Sequence, residues 1–139
     1  MLIFYEVYQG DIAISVLDKG LLLSIIELGG YPDFCQIYQK AGYQVESVSS
    51  MRNATRLLKK MTPDIIVAEF NFQSDFRDRT STLETLMAVV QRLPKTRVIV
   101  FYEQEYAHQF EKLSSRFPLH ATLPFPIDEQ KLKEAVETV

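Results

Sequence analysis

Residues 62–72 read TPDIIVAEFNF. Pro63 and Asp64 are turn-forming residues, and behind them positions 65–70 form an apolar run with one acidic member, Glu69. A run this short, rich in β-branched residues and without polar alternation, is the pattern of a strand covered on both faces. Such strands belong to parallel sheets flanked by helices, so this one stretch argues for an α/β fold. It also poses the functional question, because a carboxylate stands where the strand gives out. Glu69 can be read as a working acid, a metal ligand, a relic of lost chemistry, or a polar residue at a strand mouth.

The sequence on either side extends the pattern. Positions 44–48, QVESV, alternate and predict a short strand. Ser50 can cap a helix running to about Met61, with Met51, Ala54, Leu57, Leu58 and Met61 on one face. The polar loop NFQSDFRDRT follows the central strand, and Ser81 and Glu84 then have the spacing of a capping box. Leu83, Leu86, Met87, Val90 and Leu93 recur at helical spacing until Pro94. Positions 98–102, VIVFY, predict another buried strand; Tyr106, Phe110, Leu113 and Phe117 predict an amphipathic helix stopped by Pro118. A short strand at 121–123 precedes a final helix capped by Asp128 and carrying Leu132, Ala135, Val136 and Val139.

Strands alternating with helices over short loops imply right-handed βαβ units and a doubly wound, five-stranded parallel sheet of the flavodoxin-like type. In such sheets ligands bind beyond the carboxyl ends of the strands. Glu69, Tyr102 and Phe125 all fall at such ends.

The first 42 residues are atypical. Positions 33–40, DFCQIYQK, predict a helix. Upstream, one division makes 2–8 the first strand, followed by a helix that Asp11 caps and that runs to Gly29 with Gly20 inside it. The other places turns at 9–11 and 18–20 and gives three short strands. The first division is preferred, because a meander cannot easily surround a central parallel strand whose edges are both paired.

Composition narrows the function. The chain has 139 residues, 47% hydrophobic and 24% charged, which fits one domain over 1–139. No stretch approaches the roughly 18 apolar residues of a membrane span, and the N-terminus MLIFYEVYQGD lacks the basic region of a signal peptide. The single cysteine, Cys35, suits a reducing cytoplasm and reads as a small buried thiol, not as a nucleophile. Net charge is −3 and the densest basic pair is Lys59-Lys60, so neither nucleic acid nor membrane is expected as a partner. His108 and His120 have no metal-ligand spacing and read as surface or turn residues. With no Gly-rich phosphate loop and no G-x-S-x-G elbow, a non-enzyme without cofactor or metal is expected.

Residues 42–139 resemble the receiver domains of two-component response regulators. AGYQVESVSS is similar to the segment entering the family's second strand, and PDIIVAEFNF to the third strand with its phospho-accepting aspartate. FPIDEQKL is similar to the Lys-Pro-Phe segment leading into the last helix. The resemblance implies a pocket in which an aspartate, a Thr or Ser and a lysine handle a phosphoryl group with a divalent metal. Carried over by position, these become Glu69, Tyr102 and Phe125. The family's acidic metal-binding pair has no clear counterpart: Tyr5-Glu6 comes nearest, and Asp18 and Glu27 are single candidates.

The chain therefore reads as a degenerate pseudo-receiver. Glu69 is then a relic, a solvated carboxylate, or an imitation of the phosphorylated aspartate. Tyr102 and Phe125 are expected to meet and close the pocket. The peptide before Pro126, commonly cis in receivers, is expected to be cis. The loop residues Asp75, Arg77, Asp78 and Arg79 form either a self-paired solvated loop or a docking loop.

The expected function is a non-catalytic signalling module acting through contact with an unidentified signalling protein, with homodimerisation as one form of that contact. Receivers commonly associate through the fourth helix, fifth strand and fifth helix, where Tyr106, Phe110 and Phe117 fall here and should mostly point inward. The chain ends directly after its last helix, so no output domain in cis is expected. The alternative is a small-molecule binding module that stacks a flat ligand on Phe70, Tyr102 and Phe125.

Overall fold

The computed structural model of the protein describes residues 19–27, 31–70 and 82–139. Among them, five strands form one parallel sheet in the order β2-β1-β3-β4-β5. The strands are β1 (Gly20–Ile25), β2 (Tyr43–Val48), β3 (Ile65–Glu69), β4 (Arg97–Glu103) and β5 (Ala121–Phe125). The helices are α1 (Cys35–Lys40), α2 (Met51–Leu58), α3 (Thr82–Val90), α4 (Ala107–Ser114) and α5 (Glu129–Glu137). A single 3-10 turn, Gln104–Tyr106, leads into α4.

The quoted stretch behaves as its composition demands. All five residues of β3 are buried, because β1 and β4 flank it and helices cover both its faces. Side-chain alternation divides the core in two. Leu23, Ile25, Ile66, Ala68, Val98 and Val100 face α2, α3 and α4. Leu22, Ile65, Val67, Ile99, Phe101 and Leu123 face α1 and α5. The resulting doubly wound α/β architecture is the one expected.

Local chemistry sets the helix boundaries. The Ser50 hydroxyl accepts from the Asn53 amide at 3.1 Å, starting α2. The Asp128 carboxylate accepts from the amides of Gln130 and Lys131, starting α5. His120, at the turn into β5, ties down the other end of α5, with Nε2 donating to the Ala135 carbonyl at 2.8 Å.

The helix expected between Asp11 and Gly29 is overturned where it can be checked: positions 20–25 are β1, the middle strand between β2 and β3. A run of Leu and Ile satisfies a helix or a doubly covered strand equally well, and the tertiary setting decides. Leu22 and Leu23 point to opposite faces and are both fully buried, which a strand covered on both sides allows. Gly20 opens the strand at φ +130°, a backbone conformation that favours glycine. A Cβ there would lie 1.9 Å from Asp64 Oδ2, the atom that accepts the Leu21 amide at 2.9 Å. The strand expected at 2–8, the cap at Asp11, and the acidic candidates Tyr5-Glu6 and Asp18 lie outside the described residues.

Candidate functional site at the carboxyl end of the sheet

Register and alternation bring four residues to one side of the strand ends. Glu69 pairs in register with Phe101, and Glu103 with Phe125. Phe101 packs in the layer beneath α1 and α5, and the two-residue period places Glu69, Glu103 and Phe125 on that same face. Tyr31, in the loop before α1, lies across them. Its ring centroid is 5.2 Å from Phe101 and 5.4 Å from Phe125. Phe34 meets Phe101 edge-on at 5.8 Å.

On this face Glu69 is 4% exposed, whereas Phe125 is 41% exposed. The Tyr31 phenol is pushed up to about 12, first by burial and then by the negative charges of Glu69 and Glu103. The site is therefore aromatic on its surface and carries negative charge beside it.

Tyr102 does not belong to this group. Alternation sends it to the opposite face, where its ring stacks on Phe110 with centroids 4.7 Å apart and planes 21° from parallel. Phe70 packs against the same Phe110 at 5.2 Å. The expected meeting of Tyr102 and Phe125 is thus corrected: Tyr102 stacks against α4, and Phe125 pairs with Tyr31. The expected platform of Phe70, Tyr102 and Phe125 is corrected for the same reason, since two of its members turn towards α4 and one turns away. The inward orientation expected of the α4 aromatics holds, with Phe110 buried and Tyr106 and Phe117 packed against the core. The peptide between Phe125 and Pro126 is cis, as expected.

Glu27 stands just beyond the end of β1, but its carboxylate caps a helix: Oε2 accepts the Met51 amide at 2.8 Å. Among the described residues no three His, Cys, Asp or Glu side chains gather as a metal site would require. The proposed docking-loop residues Asp75, Arg77, Asp78 and Arg79 lie outside the described residues.

A cleft of about 340 Å³ opens beside the aromatic group, between α1 and the ends of β1 and β2. Tyr31, Phe101, Ser24, Ser47, Asp33 and Cys35 are among its lining residues. The Cys35 thiol is only partly buried, not fully as expected. Its pKa is pushed up, by burial first and then by the neighbouring Asp33 carboxylate, which keeps the thiol protonated and poorly nucleophilic.

Tyr31 and Glu103 were missed in the sequence. Tyr31 precedes the stretch that predicts α1, and its place at the strand ends depends on a loop trajectory that no periodicity records. Glu103 directly follows the apolar run of β4, and its parity with Phe101 was the available signal.

No family model matches the chain, and no curated protein matches it. Solved structures do. A response regulator receiver domain protein from Clostridium thermocellum superimposes with a TM-score of 0.67 at 16% identity, covering 85% of this chain and 91% of that one. This chain has the receiver fold. The chemotaxis response regulator CheY4 of Vibrio cholerae matches with a TM-score of 0.65 at 17% identity, covering 85% of this chain and 96% of its own. A pilus assembly protein, CpaE, from Caulobacter crescentus matches with a TM-score of 0.58 at 15% identity, covering 88% of this chain and 94% of that chain. At these identities it is the receiver fold that is shared, and function has to be argued from the site.

No helix among the described residues is long and apolar enough to cross a membrane.

Proposed function

We propose that the protein is a pseudo-receiver: a non-catalytic signalling module that takes no phosphoryl group and acts through protein–protein contact. One observation carries the reading. The carboxylate at the phosphoacceptor position, Glu69, is 4% exposed at the strand ends, close enough to Tyr31 to raise its pKa, with Glu103 and Phe125 on the same face. Phosphoryl transfer needs in-line access to the attacking oxygen and cations to balance charge on the phosphoryl oxygens. Burial of Glu69 denies that access, and a second carboxylate raises the electrostatic cost of an incoming anion. Phe125, standing where the resemblance places lysine, supplies no charge. Of the readings of Glu69, this favours the relic over the solvated carboxylate, since the side chain is buried.

A second reading keeps some support from the cleft beside the site. Its volume is near the lower end of the range for small-ligand sites, and it offers rings, hydroxyls and a carboxylate. A thermal-shift panel separates the two readings, because anything that binds only the folded form raises the melting temperature. Under the pseudo-receiver reading, acetyl phosphate with magnesium, nucleotides and cyclic dinucleotides all leave it unchanged. A concentration-dependent rise with a nucleotide or cyclic dinucleotide would favour the ligand-binding reading. A rise with acetyl phosphate and magnesium would contradict the proposal.

A further inference from the structure

We infer that the outer face of α2 is a docking surface for an acidic protein segment. This rests on the reading of the chain as a contact module and names the chemistry of its partner. Arg52, Arg56, Lys59 and Lys60 are all exposed, and α2 contains no acidic residue. Arg52 and Arg56, about one turn apart, share the outer face of α2, and Lys59, its C-cap, and Lys60 follow directly at its carboxyl end. Met51, Ala54 and Leu58 face the core on the opposite side. Over nine positions, at about 1.5 Å per residue, the cationic stripe is about 12 Å long.

Helix stability does not account for this arrangement. Lys59 and Lys60 sit at the carboxyl end, where the helix dipole favours cations, but Arg52 sits in the first turn, where the dipole disfavours them. Arg56 lies four residues from Arg52 and three from Lys59, spacings at which like charges repel. Among the described residues nothing neutralises the stripe either. Among the described residues the ion pairs are Arg116 with Glu84 and Lys133 with Glu137, and none involves these four cations. Glu84, the one carboxylate on α3, is engaged with Arg116. Glu27 is held at the Met51 amide, and Glu46 on the edge strand β2 forms no ion pair with the stripe.

The occupant follows from charge and length. In a chain of net charge −3, this cationic stripe is complementary to carboxylates spaced i, i+4, i+7 on a partner helix. A nucleic acid would call for a larger basic footprint than about 12 Å of one helix provides. A membrane surface would call for apolar side chains flanking the cations, whereas the apolar residues of α2 face the core.

The test uses the full chain and three probes: a fluorescent helical peptide with glutamates at i, i+4 and i+7, phosphatidylserine-rich vesicles, and a single-stranded oligonucleotide. The peptide is expected to bind at low salt and to shift amide resonances in residues 51–60. The double variant Arg52→Glu with Arg56→Glu should weaken binding by at least about tenfold. The double variant Lys131→Glu with Lys133→Glu on α5 should leave it unchanged, with melting curves showing that both variants fold. No peptide binding, an equal loss in both variants, or tighter binding to vesicles or oligonucleotide would overturn the inference. None of these outcomes bears on phosphorylation of Glu69, so the two readings fail separately.

Discussion

Tyr31 stands edge-on to Phe125, with ring centroids 5.4 Å apart and planes at 79°. Tyr31 also packs on Phe101, so the three rings form an aromatic surface at the carboxyl ends of β4 and β5. T-shaped contacts of this kind contribute about 0.5–1.5 kcal/mol beyond burial alone. They also set a phenol beside two carboxylates, the reverse of what an anion site requires.

That setting makes Tyr31 a reporter of the site. Its hydroxyl should titrate near 12, against an ordinary value of 10.0. Glu69→Gln removes the larger of the two charge contributions and should lower the value, leaving the effect of burial, as NMR titration of the phenol carbon would show. Because the folded-state value is raised, the stability it contributes is fully present below pH 10 and is lost as pH rises through about 12. The melting temperature should therefore fall with pH in that window, and less steeply in Tyr31→Phe. A Tyr31 titrating at 10 would remove it from the neighbourhood of Glu69.

The two aromatic groups should differ sharply in their contribution to stability. Phe110 is 4% exposed and packs against both Phe70 and Tyr102, so Phe110→Ala should cost about 3–5 kcal/mol in urea unfolding. Phe125 is 41% exposed, and Phe125→Ala should cost only about 1 kcal/mol. Equal losses would mean that the strand-end rings form part of the core.

Gly20→Ala tests the entry to the central strand. The substitution combines an unfavourable φ of +130° with a clash at Asp64 Oδ2, and moving Asp64 breaks its bond to the Leu21 amide. A loss of about 1–3 kcal/mol is expected, seen as a lower urea midpoint at constant slope. An unchanged midpoint would show that β1 does not begin at Gly20.

Where a sequence signal was redundant, the fold could be read from it. α2 and α5 each carry a helical period together with a cap, and β3 and β4 a short β-branched run set off by Pro63 and Pro94, and each lies within a few residues of its expected place. β1 carried only a run of Leu and Ile, which helix and strand accommodate equally, so its strand character depended on β2 and β3 lying beside it. At the site, resemblance identified Glu69 and Phe125, and the structure sets both on one face. Tyr102 failed for a reason already present in the sequence: it is one residue out of phase with Phe101, and alternation sends it to the other side of the sheet. Tyr31 depended on how a loop crosses the strand ends, which depends on packing and leaves no local signature.

The central claim is that the site takes no phosphoryl group, and intact-protein mass spectrometry after incubation with acetyl phosphate and magnesium tests it most directly. The expected result is a single unmodified mass at every time point, for the protein and for Glu69→Gln alike. A phosphoryl adduct that is labile to base, maps to Glu69 and disappears in Glu69→Gln would contradict the pseudo-receiver account.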